Sequence, residues 1–220
     1  LYGGVAPNPN TALVRALSAL FGDGGRIEVP GFYDNVRQLS AEEKKRYDQL
    51  PQDEKSYCNE IGVPGLSGEI GYSILERRWT RPTLDVNFLE GGSPRTVLPT
   101  EARAAVSARL VPDQVPETID RTLRRVIAEH IPANMALEFG PSHLSPSYVL
   151  DLDHPLVEPA LNALRIGFDR EPVLIREGGS IPIVNEFADQ TKAPVLLLGM
   201  GQMTDNWHGP NERFSLRDFH

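Results

Sequence analysis

PVLIREGGSIPIVNEFADQTKAPVLLLGMGQMTDNWHGPNERFS, residues Pro172–Ser215, is the stretch whose reading decides the fold. Pro172–Arg176 is a short apolar run of the kind expected of a buried strand. The Gly178-Gly179 pair breaks it, and Ile181, Val184 and Phe187 then recur at helical intervals. Val195–Leu198 is a second strand-like run, closed by Gly199-Met200-Gly201. Strand, glycine loop, helix, strand and glycine loop make one βαβ unit, whose crossover returns the second strand parallel to the first. Both glycine loops then lie at the carboxyl edge of the sheet, where open α/β folds hold their ligands. That edge collects Arg176, Glu177, Ser180, Asp205 and His208, a polar set suited to an anionic ligand.

Working outward, Pro141–Tyr148 is rich in Pro and Ser and marks a boundary, after which Leu156, Ala160, Leu161, Leu164 and Phe168 predict a helix feeding the βαβ unit. Upstream, Asn10 is the expected N-cap of a helix whose apolar stripe is Ala12, Leu13, Ala16, Leu17 and Leu20. Ser40-Ala41-Glu42-Glu43 has the form of a capping box opening a charged helix over Ala41–Leu50. The polar, glycine-rich stretch from about 22 to 80 is expected to be a surface excursion rather than a domain of its own. Leu84, Val86 and Phe88 alternate with Asp85, Asn87 and Leu89 as a half-buried strand. From Thr100 to Leu110, Ala102, Ala104, Val106 and Ala108 face one way and Arg103, Ala105, Ser107 and Arg109 the other. Small residues on one face imply that something packs closely on them. Pro116 starts a helix with Ile119, Leu123, Val126 and Ile127 on its apolar side, and Met135–Phe139 is expected to return as a strand. Residues 1–150 thus predict an α+β sandwich of ferredoxin-like type. Residues 151–220 predict part of an α/β domain with a largely parallel sheet.

The 220 residues carry a net charge of −8 with no Lys/Arg cluster, which argues against nucleic acid as a partner. No apolar run approaches the ~20 residues of a membrane span. The single cysteine, Cys58, excludes an internal disulfide framework and fits a reducing compartment, so the expected location is cytoplasmic. The chain opens on Leu1 rather than Met and no signal peptide leads it, so a fragment is expected.

REGGSIP at 176–182, DNWHGPNERFS at 205–215, GGVAPNP at 3–9, GRIEVPGFYD at 25–34, TVLP at 96–99 and SARLVP at 107–112 together resemble the di-zinc metallopeptidases of the carnosinase, aminoacylase and desuccinylase family, M20. The motifs stand in the family's order over most of the chain. GRIEVPGFYD brings it closer to the carnosinase-like dipeptidases than to the desuccinylases. The resemblance implies that residues 1 to about 150 are the lid, through which members dimerise, and that 151–220 are the C-terminal part of the catalytic domain. It implies His208 as a metal ligand, Arg176, Glu177, Gly178, Gly179 and Ser180 as a substrate-recognition loop, and Arg109 as a grip on the substrate's carboxylate. Thr96 matches a lid threonine that reaches toward the partner's site.

The implied activity is hydrolysis of an amide in a dipeptide or N-acyl amino acid, with two zinc ions per subunit in the parent protein. The family's His-x-Asp motif, bridging aspartate, general-base Glu-Glu pair and further acidic ligand have no counterpart here. Glu42-Glu43, the one adjacent Glu pair, sits on a charged helix. No catalytic residue is therefore assigned, and the fragment alone is expected to hold no dinuclear zinc and to be inactive. Two readings from other classes stand beside this one: a dimerisation and interaction module only, or an anion-binding α/β domain. The glycine loops alone, lacking the Lys-Ser/Thr of a P-loop, are weak support for the latter.

Overall fold

A computed structural model of the protein describes residues 2–50, 52–177 and 181–219. The described residues fall into two compact units, Leu1–Val149 with Glu171–Asn185 and Leu150–Arg170 with Glu186–His220.

The first unit is built on one antiparallel hairpin, β1 (Thr83–Glu90) and β2 (Arg103–Arg109), covered by helices α1 (Pro9–Ser18) and α5 (Pro116–Glu129). As the alternation predicts, Ala104, Val106 and Ala108 of β2 share the inner face with Leu84 of β1. They pack against Leu17, Leu20, Ile119 and Val126 of the helical layer. Small side chains on that face let the helices approach the sheet. Helix α1 is capped two residues earlier than expected. The Asn8 side chain, not that of Asn10, accepts from the Asn10 and Thr11 amides. Pro9 follows at the first helical position, where its missing N–H costs nothing.

The expected face of Phe88 is overturned. Val86 pairs with Val106, but Phe88 pairs with Ala105, so Asn87 is an extra residue in β1. One bulged residue reverses every side chain after it. Phe88 joins the outer face and is 48% exposed. The strand expected over Met135–Phe139 does not form. The Met135 amide donates to the Pro132 carbonyl (3.0 Å), closing a turn, and the one sheet among the described residues is the β1–β2 hairpin.

The excursion carries a small hydrophobic cluster. It contains α2 (Ala41–Asp48), α3 (Glu54–Ile61) and α4 (Ile74–Trp79). Tyr47, Leu75 and Trp79 form a buried cluster flanked by Leu39 and Leu50, with the Tyr47 and Trp79 rings edge to face at 5.2 Å. The capping box at Ser40 and Glu43 is present as predicted, and a second one, Ser73 with Glu76, opens α4. The excursion closes on its own starting point: the Ile70 amide donates to the Gly24 carbonyl (2.9 Å). A Cβ on Gly25, which sits at φ +75°, would lie 2.2 Å from the Gly68 carbonyl oxygen. Glycine is required by both conformation and space.

Gln114 ties the GRIEVPGFYD segment to the start of α5. Its Nε2 donates to the Phe32 carbonyl (2.7 Å) and its Oε1 accepts from the Val111 amide (2.8 Å), both buried. Gln114→Leu would strand two buried backbone groups, each costing about 1–3 kcal/mol. A loss of about 2–4 kcal/mol in urea unfolding is expected. A loss below about 0.5 kcal/mol would show that both groups find other partners.

In the second unit, α6 (Val157–Phe168) forms where the apolar spacing predicts it, yet only Val157 of its residues is buried. Helix α7 (Ile183–Thr191) also forms, with Val184 inward and Ile181 and Phe187 exposed. The flanking runs, Pro172–Arg176 in the first unit and Val195–Leu198 in the second, do not form strands, contrary to the expected βαβ unit. A strand needs a neighbouring ladder, and no sheet other than the hairpin exists among the described residues. Val173, Ile175, Leu197 and Leu198 remain about half exposed. A 3₁₀ turn over Met203–Asp205 and the short α8 (Leu216–Phe219) complete the unit.

Candidate functional site

The hairpin presents two of the sequence-predicted residues at opposite ends. Arg109 closes β2 opposite Thr83, and its side chain is exposed. Thr96 is exposed in the connection between Glu90 and Arg103. Six residue steps separate Arg103 from Arg109, roughly 20 Å of strand. The fold therefore does not bring Arg109 and Thr96 of one chain together.

Arg176 is held by the excursion. Its guanidinium Nη2 donates to Glu43 Oε1 on α2, and both side chains are only 18% exposed. Glu43 Oε2 simultaneously accepts from the Ser40 amide (3.1 Å), so one carboxylate caps α2 and pairs with Arg176. Burial alone would raise the Glu43 pKa. The Ser40 amide and the Arg176 guanidinium outweigh it, and the carboxyl is held below its ordinary value. Glu177 lies 3.9 Å from Arg78 of α4. The Arg78 guanidinium also rests over the Tyr57 and Trp79 rings, at 5.6 and 5.8 Å. Gly178, Gly179 and Ser180, the remainder of the expected substrate loop, lie outside the described residues.

Sequence reasoning missed Glu43 and Arg78 as neighbours of this segment. Glu43 was legible only as a capping residue, and Arg78 stands one turn into a helix announced by the Ser73–Glu76 box. Neither signal reveals a contact 133 residues away.

His208 is exposed in a loop where Asn206, His208 and Asn211 all have positive φ, at 57°, 61° and 62°. Three non-glycine residues in that region store strain, which is characteristic of functional loops. The Asn206 side chain donates to the Pro210 carbonyl (2.6 Å) and its carbonyl accepts from the Gly209 amide (2.9 Å), which holds the loop closed around His208. Asp205, three residues before it, is buried and already engaged. Its carboxylate accepts from the Gln202 amide (2.7 Å) and lies 3.9 Å from the Arg213 guanidinium. Among the described residues no three His, Cys, Asp or Glu side chains converge as a metal site requires.

Cys58 is a buried free thiol on α3. Among the described residues no helix is long and apolar enough to cross a membrane.

Comparison with known proteins gives these observations their context. The peptidase dimerisation domain of the M20 family matches residues 2–135. The Cys-Gly metallodipeptidase dug1 of Schizosaccharomyces pombe is 29% identical over 226 residues, covering 100% of this chain and 48% of that protein. The Beta-Ala-His dipeptidase of Homo sapiens is 30% identical over 222 residues, covering 97% of this chain and 44% of that protein. The chain thus spans about half the length of the curated relatives it matches. Among solved structures, the di-peptidase Dug1p from Saccharomyces cerevisiae superposes with a TM-score of 0.80 at 26% identity, over 99% of this chain and 47% of that one. Human carnosine dipeptidase 1 does so with a TM-score of 0.78 at 27% identity, over 99% and 47%. A helix-covered hairpin, the ordered GRIEVPGFYD and SARLVP segments, and a family match over most of the first unit agree: the chain belongs to the M20 peptidase family, and residues 2–135 are its dimerisation domain.

Proposed function

We propose that this protein works as the dimerising, substrate-gripping part of a zinc-dependent dipeptidase. Residues 1–150 act as the lid and 151–220 as the C-terminal part of the catalytic domain. In that domain the apolar runs at 172–176 and 195–198 become strands of a largely parallel sheet; their half-exposed side chains support this. The substrate is a small peptide, with an N-acyl amino acid as the alternative from the same amide chemistry. The relatives named above are dipeptidases, which favours the peptide. A buried thiol fits work in the cytoplasm.

The placement of Arg109 and Thr96 carries the proposal. Arg109 supplies a permanent positive charge and a planar donor fork for a substrate carboxylate. Thr96, in the connection beyond the far end of the hairpin, serves the site of a second copy in a homodimer. The hairpin itself has exposed edges, and open edges pair with another chain unless covered. His208, carried on its strained loop, is the metal ligand this chain contributes, and two zinc ions per subunit are the proposed cofactor. Arg176 and Glu177, with Gly178, Gly179 and Ser180, line the substrate side.

In the full-length parent protein, Arg109→Ala is expected to lower kcat/KM for dipeptides by about 10–100-fold, the worth of one or two charge-assisted hydrogen bonds, with bound metal unchanged. His208→Ala is expected to lose metal as well as activity. Unchanged kcat/KM in the first variant removes Arg109 from the site, and full metal occupancy with normal turnover in the second removes His208. Sedimentation of the wild-type protein as a monomer at every concentration overturns the dimer.

A further inference from the structure

We infer that the excursion is a positioning device: Glu43, aided by Arg78, sets Arg176 and Glu177 in place for substrate. The inference rests on the reading above, in which Arg176 and Glu177 belong to the substrate side.

The two residues are consecutive and of opposite charge, and each meets its opposite on the excursion. Arg176 meets Glu43 of α2, and Glu177 meets Arg78 of α4. The pattern specifies register. A slip of one residue along this segment would bring Arg176 toward Arg78, or Glu177 toward Glu43, exchanging attraction for repulsion between like charges. The anchors do not move independently of each other. Helices α2 and α4 are locked by the buried Tyr47, Leu75 and Trp79. Arg78 is further held by two aromatic faces. The Glu43 carboxylate is also held by the Ser40 main-chain amide, a bond that does not need the Ser40 side chain. The Arg176–Glu43 pair is partly buried on both sides, so solvent and salt screen it less than an exposed pair. The core of the excursion therefore has a use beyond its own stability: it carries two oppositely charged anchors to one short segment that is distant in sequence, 133 residues away in the case of Glu43.

Glu43→Gln separates this role from a structural one. Glutamine still accepts from the Ser40 amide, so the cap on α2 survives, but the charge that holds Arg176 is gone. Ser40→Ala is the converse: it breaks the cap and leaves the ion pair. In the protein, Glu43→Gln is expected to speed amide hydrogen exchange at Ile175–Glu177 about tenfold, the loss of ~1.4 kcal/mol of local tethering. In the metal-loaded full-length parent it is expected to raise KM for a dipeptide by a similar factor with kcat kept. Ser40→Ala is expected to lower the melting temperature with KM unchanged. Equal exchange at Ile175–Glu177 in wild type and Glu43→Gln overturns the brace. Faster exchange with an unmoved KM overturns its role in substrate positioning. A full-length wild-type parent inactive toward every dipeptide tried overturns the peptidase reading instead, and the exchange result still decides whether Glu43 holds the segment.

Discussion

Arg81→Ala is expected to lower the unfolding free energy by about 3–5 kcal/mol, the range for removing one partner of a buried ion pair. Arg81 donates through Nε and Nη2 to the two carboxylate oxygens of Glu69, at 2.7 and 2.8 Å, and the two side chains are 8% and 13% exposed. Its guanidinium lies over the Tyr33 ring at 4.8 Å and the Tyr72 ring at 4.3 Å. Glu69 and Tyr72 belong to the return limb of the excursion, and Tyr33 to the segment that caps the core of the first unit. One planar cation therefore joins the two, and alanine would leave the Glu69 carboxylate buried without its partner. The double variant Arg81→Met with Glu69→Leu is expected to recover most of the loss, because an apolar pair of similar volume avoids the desolvation penalty. Urea unfolding of the single and double variants checks both statements. A single-variant loss below about 1 kcal/mol, or a double variant as weak as the single, would show that the pair is not the link.

Phe32→Ala is expected to cost about 3–5 kcal/mol, the range for emptying a buried aromatic site. Phe32 is 1% exposed and sits in the cluster with Leu20, Val29, Leu84 and Ile119. Its ring meets that of Tyr33 edge to face at 5.5 Å. The backbone there is held by the Gln114 bond to the Phe32 carbonyl, so the site has little freedom to collapse into the space left behind. Phe88→Ala provides the contrast, with an expected change within about 0.5 kcal/mol, because the bulge at Asn87 has turned that ring to the exposed face. If the two phenylalanines proved equally costly in guanidinium unfolding, Phe88 would be packed inward and the register described here would be wrong.

The contrast between Phe32 and Phe88 shows where sequence reasoning holds and where it stops. Phe88 stands in an alternating stretch, and periodicity alone assigns it to the inner face with Leu84 and Val86, whereas no periodicity marked Phe32 as core. Alternation is a local rule that presumes an unbroken ladder. Whether an extra residue such as Asn87 enters the ladder depends on the partner strand, which the strand's own sequence does not contain. The capping boxes behave differently. Ser40 with Glu43 is legible because donor, acceptor and spacing all lie within four residues. Ser73 with Glu76 has the same form and was obscured only by the polar, glycine-rich surroundings.

The candidate site divides in the same way. Arg109, Thr96, Arg176 and His208 could be singled out because their motifs are short and ordered along the chain. Their neighbours could not. Glu43 reaches Arg176 across 133 residues. Glu69 reaches Arg81 only because the excursion folds back against Gly24. By itself the sequence determined the helices α1, α2, α5, α6 and α7, the inner face of β2, and membership of the M20 family, all of which rest on periodicity, caps and contiguous motifs. The tertiary structure alone decided the bulge in β1, the core inside the excursion and the ion pairs that hold Arg176 and Arg81. Each of these depends on which distant groups arrive at the same place, and chain closure over tens of residues leaves no mark on the local pattern.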